Sequence, residues 1–209
     1  MITDVLDLLR QVVASPWVYP LLFALAMVDA FLPVIPGETA LVAVAVFAVT
    51  GDPNIVLIIA AGATGAIAGD HVSYLLGYNS IGRLSARMRK RSRTRAAYEW
   101  ARVTLAARGG QILLASRFMP GVRTATTITM GGVGYPLRSF SLFDLAAATL
   151  WSAAWALVGC LGGATFGTDP LKGLAFGIGI ACALMLVTEV ARRLRRARTT
   201  TEVDQHCRS

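Results

Sequence analysis

Five apolar blocks, residues 17–50, 54–78, 111–134, 140–167 and 171–190, take up most of this 209-residue chain. Several match or exceed the roughly 20 apolar residues that a helix needs to cross a bilayer. In lipid each backbone polar group must find its partner inside the protein, so such blocks fold as helices. With 55% of residues hydrophobic and only 15% charged, the chain lacks the charge that a water-facing surface requires. The expected class is an all-α polytopic membrane protein built as one compact domain.

The first block does not read as a cleaved signal peptide. It follows a short amphipathic N-terminal segment, residues 1–15, with no basic leader, and it contains Asp29 and Glu38. Cys160, Cys182 and Cys207 are odd in number and lack metal-ligand spacing. They read as small packing residues, and no disulfide, metal or other cofactor is expected.

The net charge of +8 is concentrated in two places. Residues 81–109 hold Arg83, Arg87, Arg89, Lys90, Arg91, Arg93, Arg95, Arg102 and Arg108 against the single acid Glu99. The tail, 193–209, and the residue before it add Arg192, Arg193, Arg195, Arg196, Arg198 and Arg208. In an apolar chain these are orienting charges rather than a nucleic-acid site. They place the 81–109 loop and the C-terminus in the cytoplasm, against anionic membrane lipids.

Charge parity then decides what hydropathy cannot. Two cytoplasmic stretches must be joined by an even number of spans, yet three apolar blocks lie between them. One must enter and leave on the same side. Pro120 and Gly121, in the middle of 111–134, leave arms of about ten residues, far short of a span. Residues 111–134 are therefore expected to form a re-entrant hairpin, followed by spans at 139–166 and 171–192. Residues 17–50 have the same anatomy around Pro33, Pro36 and Gly37, and 54–78 then spans once. If both broken blocks are hairpins, they enter from opposite faces and form an inverted repeat, with the N-terminus outside. If the first block instead crosses as a broken helix, the N-terminus lies inside. Transporters commonly build sites where such breaks meet near the midplane.

The breaks carry charge. Asp29 and Glu38 lie in the first, Arg117 and Arg123 in the second, each costing about 2.5–3.5 kcal/mol at a helix centre. Glu38 opens a half-helix, where a carboxylate is favoured. Arg123 also sits in a first turn, where a cation is disfavoured. An arginine set against the dipole calls for an anion, either Glu38 or a phosphate, which the planar guanidinium fork and free N–H groups suit. Thr124, Thr126, Thr127 and Thr129 offer hydroxyls, although helix back-bonding is the simpler use for them. Arginine stays charged, whereas a buried carboxylate can take up a proton, so Asp29 and Glu38 are the expected proton-coupling pair.

These residues resemble a known family. Pro36-Gly37-Glu38 after an upstream acid, GDHVSYLLGY with Gly69, Asp70, Tyr74 and Gly77, and RFMPGVR followed by Met130-Gly131-Gly132 are similar to the DedA membrane proteins. These belong to the wider SNARE-associated or VTT-domain group, and the likeness covers roughly 15–190. The resemblance implies two opposed re-entrant hairpins in a bacterial inner-membrane protein. It also implies a flippase activity driven by the proton-motive force on undecaprenyl phosphate, the lipid carrier recycled for cell-envelope synthesis. The family's acidic pair falls on Asp29 and Glu38 and its arginine pair on Arg117 and Arg123. Gly37, Asp70, Tyr74, Pro120, Gly121 and Thr124 are the expected supporting residues. The chain departs from the family pattern at Asp29, often Glu, and at Tyr78, often Arg.

The leading expectation is thus a proton-coupled transporter of an anionic polyprenyl-phosphate lipid. An uncoupled scramblase or a structural membrane-homeostasis protein is the alternative, since neither needs titratable acids. An enzyme is not expected: His71 and His206 are the only histidines, and no nucleophile with a base partner stands near the arginines. His71 reads as a satisfied helix residue.

Overall fold

The computed structural model describes residues 13, 15–31, 37–49, 53–80, 92–117, 119, 121–165, 179 and 183. The N-terminal amphipathic segment, Pro33, Pro36, Pro120, the start of the basic loop, the expected span at 171–192 apart from two positions, and the tail lie outside them.

Among the described residues six helices follow one another, and no strand occurs. They are α1 (Val18–Phe31), α2 (Gly37–Ala48), α3 (Ile55–Asn79), α4 (Ser92–Ser116), α5 (Val122–Gly132) and α6 (Leu137–Thr165). Asn54 caps α3, its Oδ1 accepting from the Val56 N–H at 2.9 Å. α3 and α6, with 25 and 29 residues, are long and apolar enough to cross a membrane. α1, α2 and α5, with 14, 12 and 11 residues, are not. Leu142, Leu145, Leu150, Leu157 and Leu161 stand exposed along α6, as suits a helix whose outer face meets lipid rather than water.

Around the first break the sequence expectation of two short helical arms matches α1 and α2. Around the second it needs one revision. The stretch read from charge as the 81–109 loop is already helical from Ser92, and α4 continues to Ser116 with a backbone break at Arg108 (φ −136°, ψ 19°). Charge density marks a segment that stays out of hydrocarbon; it does not stop a run rich in Ala, Arg and Leu from being helical.

Close backbone approach fixes the packing. A Cβ at Gly65 or Gly69 would strike the Phe23 or Met27 carbonyl, so α1 lies directly on α3. Gly77 and Gly131 do the same for α3 and α5, meeting the Ile128 and Tyr74 carbonyls. Gly159 and Gly163 bring α6 onto α2 at the Val42 and Val46 carbonyls, and Gly110 receives the Phe143 ring where α4 meets α6. Without a hydrophobic drive between helices in lipid, small residues at the contacts supply the association. Each broken pair, α1 with α2 and α4 with α5, thus divides its members between α3 and α6. The main core, with Leu22, Leu41, Val42, Ile58, Ala66 and Trp151, fills the space among α1, α2, α3 and α6. A smaller one, with Tyr74, Leu105, Leu113, Met130 and Phe140, closes the other end.

Candidate functional site

The second break delivers two arginines to the space between α3 and α6. After Ser116 the chain turns, Met119 N–H donating to the Ser116 carbonyl and Val122 and Arg123 N–H to the Met119 carbonyl. Gly121 takes φ 75°, a value side chains rarely tolerate, and α5 begins at the next residue. Arg117 therefore precedes the turn and Arg123 lies in the first turn of α5, and both side chains are buried.

Their partners differ from the expected ones. Arg117 Nη1 donates to Asp70 Oδ2 at 2.9 Å and to Asp144 Oδ1 at 2.8 Å. Arg123 Nε donates to Asp70 Oδ1 at 3.0 Å, and its Nη1 lies 3.7 Å from Asp29 Oδ2. Asp70 on α3 is thus the common partner of both arginines, one oxygen to each. Asp29 comes in from α1. Its carboxylate rests against Gly37 at the start of α2, where a Cβ would come within 3.1 Å of Asp29 Cγ. Glu38, half-buried in the first turn of α2, has no cationic nitrogen within 4.0 Å among the described residues. Of the two acids around the first break, Asp29 reaches an arginine and, among the described residues, Glu38 does not.

The indole of Trp151 lies under this cluster. The guanidinium carbons of Arg117 and Arg123 are each 5.8 Å from its ring centroid, within cation–π range. Burying two guanidiniums against an aromatic face excludes water and strengthens every charge interaction around them. Among the described residues Arg117 Nε and Nη2 and Arg123 Nη2 are buried with no hydrogen-bond partner. Three donor nitrogens from two arginines are therefore without a partner among the described residues.

The other expected supporting residues separate into two groups. Thr124 Oγ1 donates to the Ala30 carbonyl at 3.0 Å, tying α5 to the end of α1 beside the cluster. Thr127 and Thr129 back-bond within α5, to the Thr124 and Ala125 carbonyls. Tyr74 turns toward the α5–α6 connection, its hydroxyl donating to the Tyr135 carbonyl at 2.5 Å. It is a clamp on the fold rather than part of the arginine site.

Asp144 was not singled out from the sequence, although the signal was there. It is the single carboxylate of an otherwise apolar block, and an ionisable residue inside a span is functional until shown otherwise. Its partner could not be read, because Arg117 reaches it only once three helices have packed. Trp151, which carries no charge to single it out in the sequence, floors the site.

Two long apolar helices, shorter helices broken between them, and a buried carboxylate–arginine cluster define a polytopic helical membrane protein with a charged centre. The VTT domain model matches residues 35–161. The chain belongs to that family, the family of the DedA membrane proteins. It is 28% identical over 191 residues to Protein DedA of Escherichia coli strain K12, covering 87% of this chain and 85% of that protein. Protein DedA of Escherichia coli O157:H7 matches to the same extent. No solved structure matches the chain.

Proposed function

We propose that this protein carries an anionic polyprenyl-phosphate lipid, undecaprenyl phosphate, across the bacterial inner membrane in a proton-coupled cycle, returning it for cell-envelope synthesis. The observation that carries this reading is the set of unmatched buried donors on Arg117 and Arg123. A buried unsatisfied donor is costly, and a guanidinium fork pairs with phosphate oxygens. The phosphate binds between the arginines, over Trp151, while the polyprenyl chain stays in the surrounding lipid.

Proton coupling follows from the charges. Asp29, Asp70 and Asp144 already outnumber Arg117 and Arg123. Adding a phosphate to a low-dielectric site with excess negative charge needs protons to come with it. Asp29, next to Arg123 Nη1, and Glu38, across the first break, take up those protons in this reading. Protonation of Asp29 loosens its hold on Arg123, which then turns its fork to the lipid phosphate.

The packing supports the accompanying architecture of two opposed re-entrant hairpins. α1 lies on α3 and α2 on α6, while α4 lies on α6 and α5 on α3. Exchanging the first pair and its long helix for the second reproduces these four contacts, as an inverted repeat requires. The basic stretch and the C-terminus then face the cytoplasm.

Purified protein in liposomes containing undecaprenyl phosphate tests the proposal. The lipid should change leaflet with the protein present, and faster when a pH gradient is imposed. No movement of that lipid removes the substrate assignment, and movement indifferent to the gradient removes the coupling.

A further inference from the structure

His71 neighbours Asp70 on α3, and its ring connects the buried cluster to a partly exposed edge. Nδ1 lies 2.9 Å from the Ile67 carbonyl oxygen and 3.5 Å from Asp144 Oδ2. With Asp144 ionised both neighbours only accept, so Nδ1 carries a hydrogen. Nε2 lies 2.8 Å from Ser141 Oγ, a hydroxyl that donates or accepts by turning its hydrogen. A neutral ring takes a hydrogen bond from Ser141, and a charged ring gives one, with every heavy atom in place. The edge-on contact with Phe140, at 5.2 Å between centroids, holds the ring there. This imidazole can gain or lose a proton without moving.

Asp144 carries that charge inward. Its Oδ1 accepts from Arg117 Nη1, and its Oδ2 has no hydrogen-bond partner among the described residues and faces His71 Nδ1 at 3.5 Å. The His71 side chain is 30% exposed and that of Asp144 0%, so the ring is the accessible end of the pair. Ser141 lies four residues after the start of α6 at Leu137, about 6 Å along the helix axis. In the topology proposed above, that end faces the cytoplasm. The charged groups converging here are Asp29 from α1, Asp70 from α3, Arg117 after α4, Arg123 from α5 and Asp144 from α6. In direct contact three carboxylates face two guanidiniums, and Glu38 adds a fourth acid from the start of α2, so a proton on His71 offsets part of an excess of negative charge.

We infer that His71 is the proton-exchange residue of the arginine cluster, with Ser141 as its outer partner and Asp144 as the acid that transmits its charge to Arg117. A proton from water binds Nε2, and the ring becomes an imidazolium. The charged ring, its Nδ1 3.5 Å from Asp144 Oδ2, then competes with Arg117 for that carboxylate. Asp144 then holds Arg117 less tightly, and the guanidinium becomes available to an anion. The last consequence rests on the carrier reading; proton exchange at His71 does not.

His71 and His206 are the only histidines, so the full chain with His206→Asn reports one imidazole. Nitrogen and carbon NMR of that ring in lipid nanodiscs should show the Nδ1–H form when neutral and a reversible titration between about pH 5 and 9. With Asp144→Asn the ring should bind its proton at least roughly tenfold more weakly. A neutral Nε2–H form, or no titration, overturns the inference; so does proton binding unchanged in Asp144→Asn. His71→Gln keeps a hydrogen-bonding side chain but cannot titrate there, so it should flatten the pH profile of undecaprenyl-phosphate movement in liposomes. A wild-type profile in that variant overturns the inference as well. If the unaltered protein moves no undecaprenyl phosphate, the carrier reading fails while the spectroscopy still decides the role of His71.

Discussion

Arg117 spends a single nitrogen on two acids. Nη1 serves both Asp70 and Asp144, while Nε and Nη2 stay buried without a partner among the described residues. A purely structural salt bridge would use the fork, since two parallel bonds to carboxylate are stronger than one shared donor. Lysine separates the two roles, because one ammonium can serve both acids but offers nothing in place of Nε and Nη2. Arg117→Lys should therefore keep a wild-type thermal unfolding temperature to within a few degrees in detergent. It should lose at least roughly tenfold in transport of undecaprenyl phosphate. Wild-type transport in this variant would mean that the unmatched donors are not what holds the anion. The sequence pointed to Arg117 and Arg123 because permanent charge in an apolar run is expensive wherever it sits. It could not supply their partners. Asp70 and Asp144 are 47 and 27 residues away from Arg117, and only packing brings them within reach.

At the scale of elements, α5 positions Arg123, and its seat on α3 is set by backbone contact rather than by side chains. A Cβ at Gly131 would collide with the Tyr74 carbonyl, and a backbone carbonyl in the middle of a helix cannot step aside. At Gly132 a Cβ would come only to 3.7 Å from the Gly77 carbonyl, an ordinary contact. Gly131→Ala should thus cost about 1–3 kcal/mol and weaken transport by shifting Arg123. Gly132→Ala should change stability by no more than roughly 0.5 kcal/mol, or raise it slightly, since alanine favours helix. Unfolding of the two variants side by side in the same detergent checks this; equal losses would show that α5 does not sit so close to α3. The Met130-Gly131-Gly132 motif was visible in the chain, but which glycine matters depends on the face it presents. The helical start of α4 at Ser92 was hidden for a different reason. Arginine density was read as a loop, although the same residues are good helix formers.

The whole molecule poses the question that charge parity raised, namely which broken blocks cross the membrane. The Pro-Gly breaks and the short arms beside them were legible because a helix of 11 to 14 residues is too short to span. The side on which each arm emerges was legible only where basic residues crowd, around 81–109. At the N-terminal end the near-balanced charge leaves two topologies. Impermeant thiol labelling of single-cysteine variants separates them, starting from protein with serine at Cys160, Cys182 and Cys207. Ala96→Cys and Arg138→Cys should react only from the cytoplasmic side, bracketing a second block that turns back on itself. Asp52→Cys, ahead of α3, should react only from outside. Opposed hairpins further require Trp17→Cys, at an exposed position before α1, to react from outside like Asp52→Cys. Reaction of Trp17→Cys from the cytoplasm would instead make the first block a broken span. The two breaks would then no longer be related by an inverted repeat, and the shared neighbours of α1, α2, α4 and α5 would need another explanation. Under opposed hairpins, Asp29 lies on an arm that opens to the outside and Arg117 on one that opens to the cytoplasm. The cluster they form would then be where access from the two sides meets, as a carrier that alternates between them needs.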